Sequence, residues 1–551
     1  MKSISKIFLA VGLGATLWGG SSCTGDLDLM PTDPRSTTVS EFANDPKKYM
    51  EEVMADVYLN YSSVGANGSS VIEGFDGGMS SFSRTCLQLE CFASDEMAWL
   101  PTGADWGNFR YGQVAANAAA ILGMYSRLVV NVTLCNDFIQ TVNNGYFSLP
   151  ENLTKDADEF VRQAKILRSA AYFYLMDSFG NVPYADETLS IGSVAPQMGQ
   201  AEVYANVTAT LEEIVAWYKQ NDPNNRPPYG YVGLDVAEAL LVKYYLNAGV
   251  YTGTPAWDKC AEHAEAIIAR LGKGGFKNSG LAYKYWQLFG YNNDIYTIGG
   301  SSPVNEIIWV QPSDAEKLQG WTGGSFLVNA WAGEEGAEAG KWNASNGWKC
   351  LAARETFVTT YFDWDENYYE SPDQRTWLWS TAKEGFPVHN PTLAGQAKNG
   401  FITVKYSNWA YNDDEEGTKA AVQPAATDIL GMDYAAIRLA EIYLSAAEAY
   451  LQSGTNADKA KTYVNYIRER AGLDPYDNVG MSELKRERAA ELYNEACRRT
   501  DLIRWDMWLS NYNWSWKNGV AEGADYNAAM RFFPLPISIV AQAGYTQNPG
   551  Y

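Results

Sequence analysis

Aromatic residues crowd into two glycine-rich stretches of the chain, residues 60–115 and 273–432. A flat indole matches the apolar CH face of a pyranose ring, and guanidinium or amide groups match the hydroxyls at its edge. Loops held by a rigid frame are where binding residues are usually found, so both stretches are candidate ligand-binding regions. The chain has nineteen tryptophans, and we expect most of them to be core residues.

The sequence offers few residues for metal-dependent or nucleophilic catalysis. His263 and His389 are its two histidines, which limits zinc sites and Ser-His-Asp triads. None of the cysteines after Cys23 forms a CxxC motif, and Cys86 and Cys91 are either a disulfide pair or buried free thiols. A glycoside hydrolase would need two carboxylates at a defined separation; 65 acidic residues leave that alternative open, but no motif marks such a pair.

The charge balance restricts the class of ligand. The chain carries 42 basic and 65 acidic residues, a formal net charge of -23, and no block of lysine or arginine offsets it. Nucleic-acid affinity depends on neutralising phosphates with basic groups, so nucleic acid is disfavoured as a partner. Other polyanions are disfavoured for the same reason, and a neutral ligand fits best.

The N-terminus predicts an exported, lipid-anchored protein. Lys2 and Lys6 precede an apolar stretch from Ile7 to Trp18, and small residues lead to Cys23, as in a bacterial lipobox. An ordinary secretory signal followed by a cysteine is the alternative. We predict a signal peptide at 1–22 and a lipidated tether at 23–40, and expect no later segment to span the membrane.

The spacing of apolar residues predicts a scaffold of amphipathic helices. Apolar residues recur at helical spacing in several segments, such as Phe160 to Tyr174, Val207 to Tyr218, Ala239 to Leu271 and Ile437 to Ala471. The last two of these segments resemble copies of one helix-turn-helix unit. We predict a mostly α fold, a tetratricopeptide-like scaffold with an irregular loop-rich ligand-binding region and a few short strands, such as Glu306–Val310 and Phe401–Val404. One unit would span 41–551, with its scaffold mainly at 110–272 and 433–510 and its loop-rich regions at about 60–110 and 273–432.

Several ordered strings resemble the SusD/RagB family, and the matches run from the cysteine to the last residue. They are Arg168–Pro183, Ile437–Ala449, Ile467–Leu473, Glu487–Trp505 and the C-terminal Phe533–Pro536 and Gln547–Tyr551. The resemblance implies a tetratricopeptide-like fold and a non-catalytic lipoprotein on the outer surface of Bacteroidetes cells. It also implies capture of a neutral oligosaccharide or polysaccharide and its delivery to a SusC-like TonB-dependent transporter. A glycoside hydrolase and a tetratricopeptide scaffold for protein partners are the alternatives.

Shorter strings resemble the starch-binding founder of that family, and they imply a set of site residues. By this resemblance Arg84, Trp99, Trp321 and Trp348 bind glycan, and the ligand is a starch-type α-glucan or malto-oligosaccharide. Pro101 stands where the founder has a tryptophan, and Trp106 is the candidate substitute. Asn108 is a further amide candidate.

The resemblance also suggests a structural calcium, since some family members hold one near the scaffold. Asp433 falls at a comparable position and Asp294 is a looser candidate. Oxygen ligands would suit calcium, although aspartates at such positions also cap helices or face solvent. No cofactor is otherwise required.

Overall fold

The computed structural model describes residues 45–62, 81–101, 106, 108–143, 149–190, 192–294, 298, 304–314, 323–333, 339–362, 371–376, 401–411, 419–421 and 430–551. The predicted signal peptide, Cys23 and the tether 23–40 lie outside these residues.

Helices dominate the described part of the chain, as the apolar spacing predicts. They are α1 (Pro46–Ser62), α2 (Phe82–Cys91), α3 (Ala119–Asn143), α4 (Thr154–Phe179), α5 (Gln200–Asn221), α6 (Leu234–Leu246), α7 (Ala248–Thr252), α8 (Trp257–Leu271), α9 (Gly323–Trp331), α10 (Glu355–Tyr361), α11 (Leu439–Ser453), α12 (Ala457–Arg470), α13 (Met481–Leu492), α14 (Arg498–Arg504) and α15 (Ile537–Ala543).

The scaffold helices stack in chain order. Helix α3 packs on α4, α4 on α5, α5 on α6, and α6 on α8. Helix α8 then packs directly on α11, and α11 on α12, although the loop-rich region 273–432 separates them in sequence. The two helix pairs predicted to be copies of one unit are therefore neighbours in space, and the mostly α, tetratricopeptide-like fold is confirmed.

The turn between α11 and α12 has the residues that a helix-turn-helix unit needs. Gly454 ends α11 in the left-handed conformation with φ of 69°, which glycine adopts without steric cost. The side chain of Asn456 then accepts a hydrogen bond of 3.1 Å from the Lys459 amide and caps α12. Local sequence thus fixes where one helix ends and the next begins.

The strands are short and pair two by two. They are β1 (Met97–Trp99) with β5 (Leu351–Ala353), β2 (Val182–Pro183) with β3 (Gln197–Met198), β4 (Ile307–Gln311) with β8 (Tyr434–Arg438), and β6 (Trp409–Tyr411) with β7 (Lys419–Ala421), all antiparallel.

Two local expectations are wrong at the strands. Ile437 does not begin a helix, because it pairs with Trp309 in the β4–β8 ladder and α11 begins at Leu439. The predicted strand at 401–404 makes a single bridge, between Phe401 and Ala353. The carbonyl of Thr403 accepts from the Trp342 indole at 3.2 Å, a side-chain contact in place of a ladder bond.

Helix α3 departs from the expectation that no later segment could span a membrane. It is long and apolar enough to do so by length and composition. Yet 61% of its most apolar window is buried inside the fold, where it packs against α4. Its apolar character is therefore that of a core helix.

The described cysteines are all free thiols, which decides the question left open for Cys86 and Cys91. Five of the six are buried and Cys350 is partly exposed. Burial raises the pKa of the Cys135 thiol to about 12. These thiols are small apolar groups of the core and have little thiolate character.

A buried charge cluster joins the loop-rich region 273–432 to the scaffold. Its members are Glu306, Arg375, Lys405, Arg438, Arg470, Glu487, Glu491 and Glu495, each with a buried side chain. Arg438 is central, with its guanidinium 2.6 Å from Glu306, 3.0 Å from Glu491 and 2.6 Å from Glu495. Arg470 also contacts Glu306 and Glu491.

The cluster keeps its charges because they are mutually paired. Burial alone would raise the pKa of Glu491, but Arg470, Arg438 and Arg375 lower it to about 2. Burial lowers the pKa of Lys405 to about 8, opposed by Glu495 at 2.6 Å. Removing one member would leave an uncompensated charge in a low-dielectric interior.

We expect Arg438→Ala to lower the free energy of unfolding by about 3–5 kcal/mol, because three glutamates lose their shared partner. Urea unfolding followed by circular dichroism measures this change. The matched control is Lys48→Ala, which removes an ion pair of 3.6 Å whose lysine side chain is 69% exposed and should cost about 1 kcal/mol or less. Equal effects of the two substitutions would contradict the role given to the cluster.

A second ion pair predicts a dependence of stability on pH. Burial alone would raise the pKa of Glu187, but Arg168 and Lys165, at 2.6 and 2.7 Å, lower it to about 2. The folded state then keeps this carboxylate charged at a pH where the unfolded chain binds a proton, so its stabilising effect is lost as the pH falls from about 4.5 to about 2. The difference in unfolding free energy between the wild type and Glu187→Gln should shrink over that range, as measured by urea unfolding at successive pH values. A difference independent of pH would be the contrary result.

Candidate functional site

Four of the predicted site residues lie together in the structure. Arg84 comes from α2, Trp99 from β1, Trp106 from the following loop and Trp348 from the segment before β5. With Phe92 and Phe326 they form what we call the aromatic cluster: Arg84, Phe92, Trp99, Trp106, Phe326 and Trp348. The two loop-rich regions therefore meet at one place. Trp321 lies outside the described residues.

Trp99 is at the centre of the ring contacts. Its ring stacks on Phe92 with centroids 5.5 Å apart and an interplanar angle of 13°. It lies 5.2 Å from Trp106 and 6.3 Å from Phe326. Phe326 in turn lies 6.5 Å from Trp348, which completes the connection.

Arg84 is packed against rings. Its guanidinium carbon lies 4.1 Å from the centroid of Phe326 and 5.6 Å from that of Trp99, distances that suit cation–π contacts. The residue is 2% exposed. In this structure its guanidinium therefore orients the aromatic rings, while its predicted role as a donor to sugar hydroxyls stays a prediction.

Exposure differs across the aromatic cluster. Trp99 is 4% and Trp106 is 6% exposed, whereas Trp348 is half-buried. The Trp99 indole N–H is buried and has no hydrogen-bond partner among the residues that the structure describes. Asn108 is exposed and starts the turn after Trp106. Trp348 is thus the tryptophan of the cluster that offers most surface to a ligand.

Non-local strand pairing brings these residues together. Trp99 pairs with Leu351 in the β1–β5 ladder, and the Leu100 amide donates to the Cys350 carbonyl at 2.8 Å. The Trp348 amide donates to the carbonyl of Asn329 on α9 at 2.6 Å. Residues far apart in sequence are held at one site by backbone hydrogen bonds, which limits how far each ring can move.

The acidic residues beside β1 attach the site to the scaffold. Asp95 forms two hydrogen bonds of 2.7 Å with the Arg498 guanidinium at the start of α14. Glu96 accepts from the Asn494 amide at 2.6 Å. Burial raises the pKa of Glu96 to about 7, opposed by the bond from Asn494 and by Arg498. A raised carboxyl pKa is typical of a general acid, but Glu96 is 2% exposed and its role here is to anchor the site.

Phe92 and Phe326 complete the aromatic cluster, and no sequence pattern identified them as site residues. Phe92 follows the last residue of α2, and Phe326 lies five residues after Trp321 in a glycine-rich string. That proximity to a candidate tryptophan is the signal that could have identified Phe326. Trp331, Trp342, Trp505 and Trp508 are buried, as expected of packing residues.

The candidate calcium ligand Asp433 is already bonded to protein donors. Asp433 accepts hydrogen bonds on both carboxylate oxygens, from the Tyr229 hydroxyl at 2.5 Å and the Ser313 amide at 2.8 Å. Burial raises its pKa to about 6, to which the charges of Asp294 and Asp314 contribute. Within the described ranges, no group of three or more histidine, cysteine or acidic residues is placed to hold a metal ion. The geometry does not require a cation at Asp433, and calcium there stays a prediction.

Comparisons with known proteins find that the chain is similar in sequence to the SusD family. A sequence model of the SusD family matches residues 392–551. The starch-binding protein SusD of Bacteroides thetaiotaomicron is 27% identical over 591 aligned residues, which cover 100% of this chain and 99% of that protein. A SusD-like protein P2 of Formosa agariphila is 25% identical, over 66% of this chain and 63% of that protein.

Solved structures share the fold. A SusD superfamily protein from Parabacteroides distasonis has a TM-score of 0.66 and 18% identity, covering 92% of this chain and 99% of that one. Surface glycan-binding protein A from Bacteroides thetaiotaomicron, solved in complex with laminarihexaose, has a TM-score of 0.66 and 17% identity, covering 91% and 99%.

The burial pattern predicts different outcomes for two tryptophans. We expect Trp99→Ala to lower the free energy of unfolding by about 3–5 kcal/mol, because it opens a cavity among Phe92, Trp106 and Phe326. Trp348→Ala should cost clearly less, since its ring is half-buried. Urea unfolding of both variants checks this order, and a larger loss in the Trp348 variant would contradict the described packing.

Proposed function

We propose that the chain is a member of the SusD/RagB family, to which it is similar in sequence, and that it is a non-catalytic cell-surface protein that binds glycans at the aromatic cluster. The observation that carries this proposal is the meeting of two loop-rich regions around Trp99, Arg84 and Trp348. Both regions are anchored to a helical scaffold, the arrangement expected of a binding surface on a rigid frame.

The chemistry of the cluster supports a sugar ligand. The half-buried indole of Trp348 is the platform on which a pyranose ring would stack. Phe326 contacts this indole, and Trp99 packs on Phe326 in turn. Asn108 is exposed and supplies amide donors for ring hydroxyls. The net charge of -23 favours a neutral glycan over a polyanionic one.

Within this function, starch-type α-glucan is the proposed ligand class. The support is the full-length similarity, at 27% identity, to a relative described as starch-binding. The solved relative with laminarihexaose is 17% identical, and it supports the fold.

Capture would be coupled to import. Lipid on Cys23 would anchor the protein in the outer membrane, and a SusC-like TonB-dependent transporter would receive the released oligosaccharide. A carrier must release its ligand, and a half-buried platform gains little free energy after losses of rotational and translational freedom. We therefore expect micromolar to millimolar affinity, about -4 to -8 kcal/mol.

The test is affinity electrophoresis of the protein after Cys23 through gels that contain amylopectin, pullulan, xylan or laminarin. Wild type should be retarded by amylopectin and pullulan, and Trp348→Ala should migrate freely while remaining folded. The matched control is Trp217→Ala, which removes another partly buried tryptophan, one that packs on Arg162 of the scaffold.

Each alternative result has a definite meaning. Retardation by laminarin or xylan alone would keep glycan capture and overturn the α-glucan specificity. Equal retardation of the Trp348 and wild-type proteins would overturn the assigned site, and the absence of retardation in every gel would overturn glycan capture. Release of reducing sugar from any polymer would favour a hydrolase.

A further inference from the structure

Helix α2, whose first turn carries Arg84 of the aromatic cluster, meets the scaffold at two buried carboxyl groups. Glu90 lies in the last turn of α2 and Asp177 lies on α4, and each of them is 0% exposed. Helix α14 packs on α2 and contributes Thr500 to the same place. Two acids enclosed together are stable only where cations or protons compensate their charges.

One threonine hydroxyl contacts both acids. The Oγ1 atom of Thr500 lies 2.9 Å from Oε1 and 3.0 Å from Oε2 of Glu90. It also lies 3.2 Å from Oδ2 of Asp177. The Thr500 amide donates to Oε2 of Glu90 at 2.9 Å. A hydroxyl has a single hydrogen, so Thr500 can donate through its side chain to only one of the two acids.

The number of hydrogens at this contact requires one more proton. If both acids were ionised, the Thr500 hydroxyl would donate to one of them and present a lone pair to the other, which has only acceptors. A proton on Oε1 of Glu90 removes this conflict. The Glu90 hydroxyl then donates to Thr500, the Thr500 hydroxyl donates to Asp177, and Oε2 of Glu90 remains the acceptor for the Thr500 amide.

The partners of the two acids decide which one carries the proton. Asp177 accepts from the Arg499 guanidinium at 2.7 Å and from the Tyr251 hydroxyl at 3.0 Å, which suits an ionised carboxylate. Glu90 has no lysine or arginine in ion-pair contact within the described ranges of the chain. Burial and the charge of Asp177 raise the pKa of Glu90 to about 8, opposed by Arg499 and by the bonds from Thr500.

The other groups that face Glu90 come from every helix packed around it. The charged ones are Asp177, Arg499 and Arg531. Burial raises the pKa of each neutral one well above its ordinary value, so these thiols and phenols stay neutral where Glu90 titrates: Cys86 and Cys91 of α2, Tyr174 of α4 and Tyr251 of α7.

We propose that Glu90 carries a proton in the folded chain, and that loss of this proton in alkaline medium weakens the packing of α2 on α4 and α14. Two carboxylates would then face a single hydroxyl donor, and like charges repel strongly in a low-dielectric interior. Arg84 lies in the first turn of α2 and Phe92 follows its last residue, so this contact supports one side of the aromatic cluster. It does not depend on glycan binding.

The direction of the pH effect follows from where the proton is bound. Between about pH 4.5 and about pH 8 the folded chain keeps the proton and the unfolded chain has released it. Stability is therefore full below about pH 4.5 and falls as the pH rises, by about a factor of ten in the folding equilibrium per pH unit, until about pH 8. Glu90→Gln keeps a donor for Thr500 but has no proton to lose.

The experiment is urea unfolding of the protein after Cys23 at successive pH values from about 5 to about 9, for wild type and Glu90→Gln. The unfolding equilibrium constant of wild type divided by that of the variant should rise about tenfold per pH unit up to about pH 8, and stay level above it. The matched control is Glu51→Gln on α1, whose side chain is 52% exposed and for which the same ratio should not change with pH.

Infrared difference spectroscopy detects the proton directly. The spectrum of wild type minus that of Glu90→Gln at about pH 6 should contain the carbonyl stretch of a protonated carboxyl group. For wild type alone, the spectrum at about pH 7.5 minus that at about pH 9.5 should show the same band, which decides the question if the variant does not fold. Glu96 and Asp433, with pKa values raised to about 7 and about 6, are mostly ionised at both pH values.

Two results would overturn the proposal. One is a ratio of unfolding constants that does not change with pH between wild type and a folded Glu90→Gln variant. The other is the absence of a protonated carboxyl band from the infrared difference spectra. Neither result bears on glycan capture at the aromatic cluster, which the gels test separately.

Discussion

The architecture depends on the pairing of buried charges around Arg438. This residue ends β8 and precedes α11, and its partners are Glu306 before β4 and the glutamates Glu491 and Glu495 near the end of α13. Taking so many ions out of water is costly, and their mutual attraction offsets this cost only in one arrangement. The loop-rich region therefore has a defined position on the scaffold, because any other position would leave charges without partners.

The position of the aromatic cluster follows from the same constraint. Ion pairs and backbone hydrogen bonds fix both regions that contribute its rings. Asp95, next to β1, is paired with Arg498 of the scaffold, and the β1–β5 ladder connects β1 to the second region. A binding surface made of aromatic side chains gains affinity when its rings do not have to be ordered on binding. Here the scaffold has already ordered them, and Trp348 remains partly open.

Much of the fold could be predicted because it is encoded locally. Apolar spacing located helices such as α4, and single residues such as Gly454 and Asn456 end one helix and cap the next in the structure. The grouping of Arg84, Trp99 and Trp348 was predictable in part, through the short strings around these residues. The contacts between distant parts of the chain could not be predicted. Three-residue strands such as β1 and β5 carry too little pattern to predict their pairing. The burial of Arg84 depends on Phe326, which comes from another region of the chain.

The free thiols have a consequence for how the chain reaches this structure. Five cysteines are enclosed in the core as unpaired thiols, and burial raises the pKa values of Cys86, Cys91 and Cys497 well above the ordinary value. Thiol oxidation and exchange require an accessible thiolate, so the folded protein protects these groups. An unfolded chain has no such protection, and in an oxidising medium its thiols would pair in combinations that the native core does not contain. Thiol oxidation of the unfolded chain therefore competes with folding. We expect unfolding to be reversible only where a reductant keeps the thiols free.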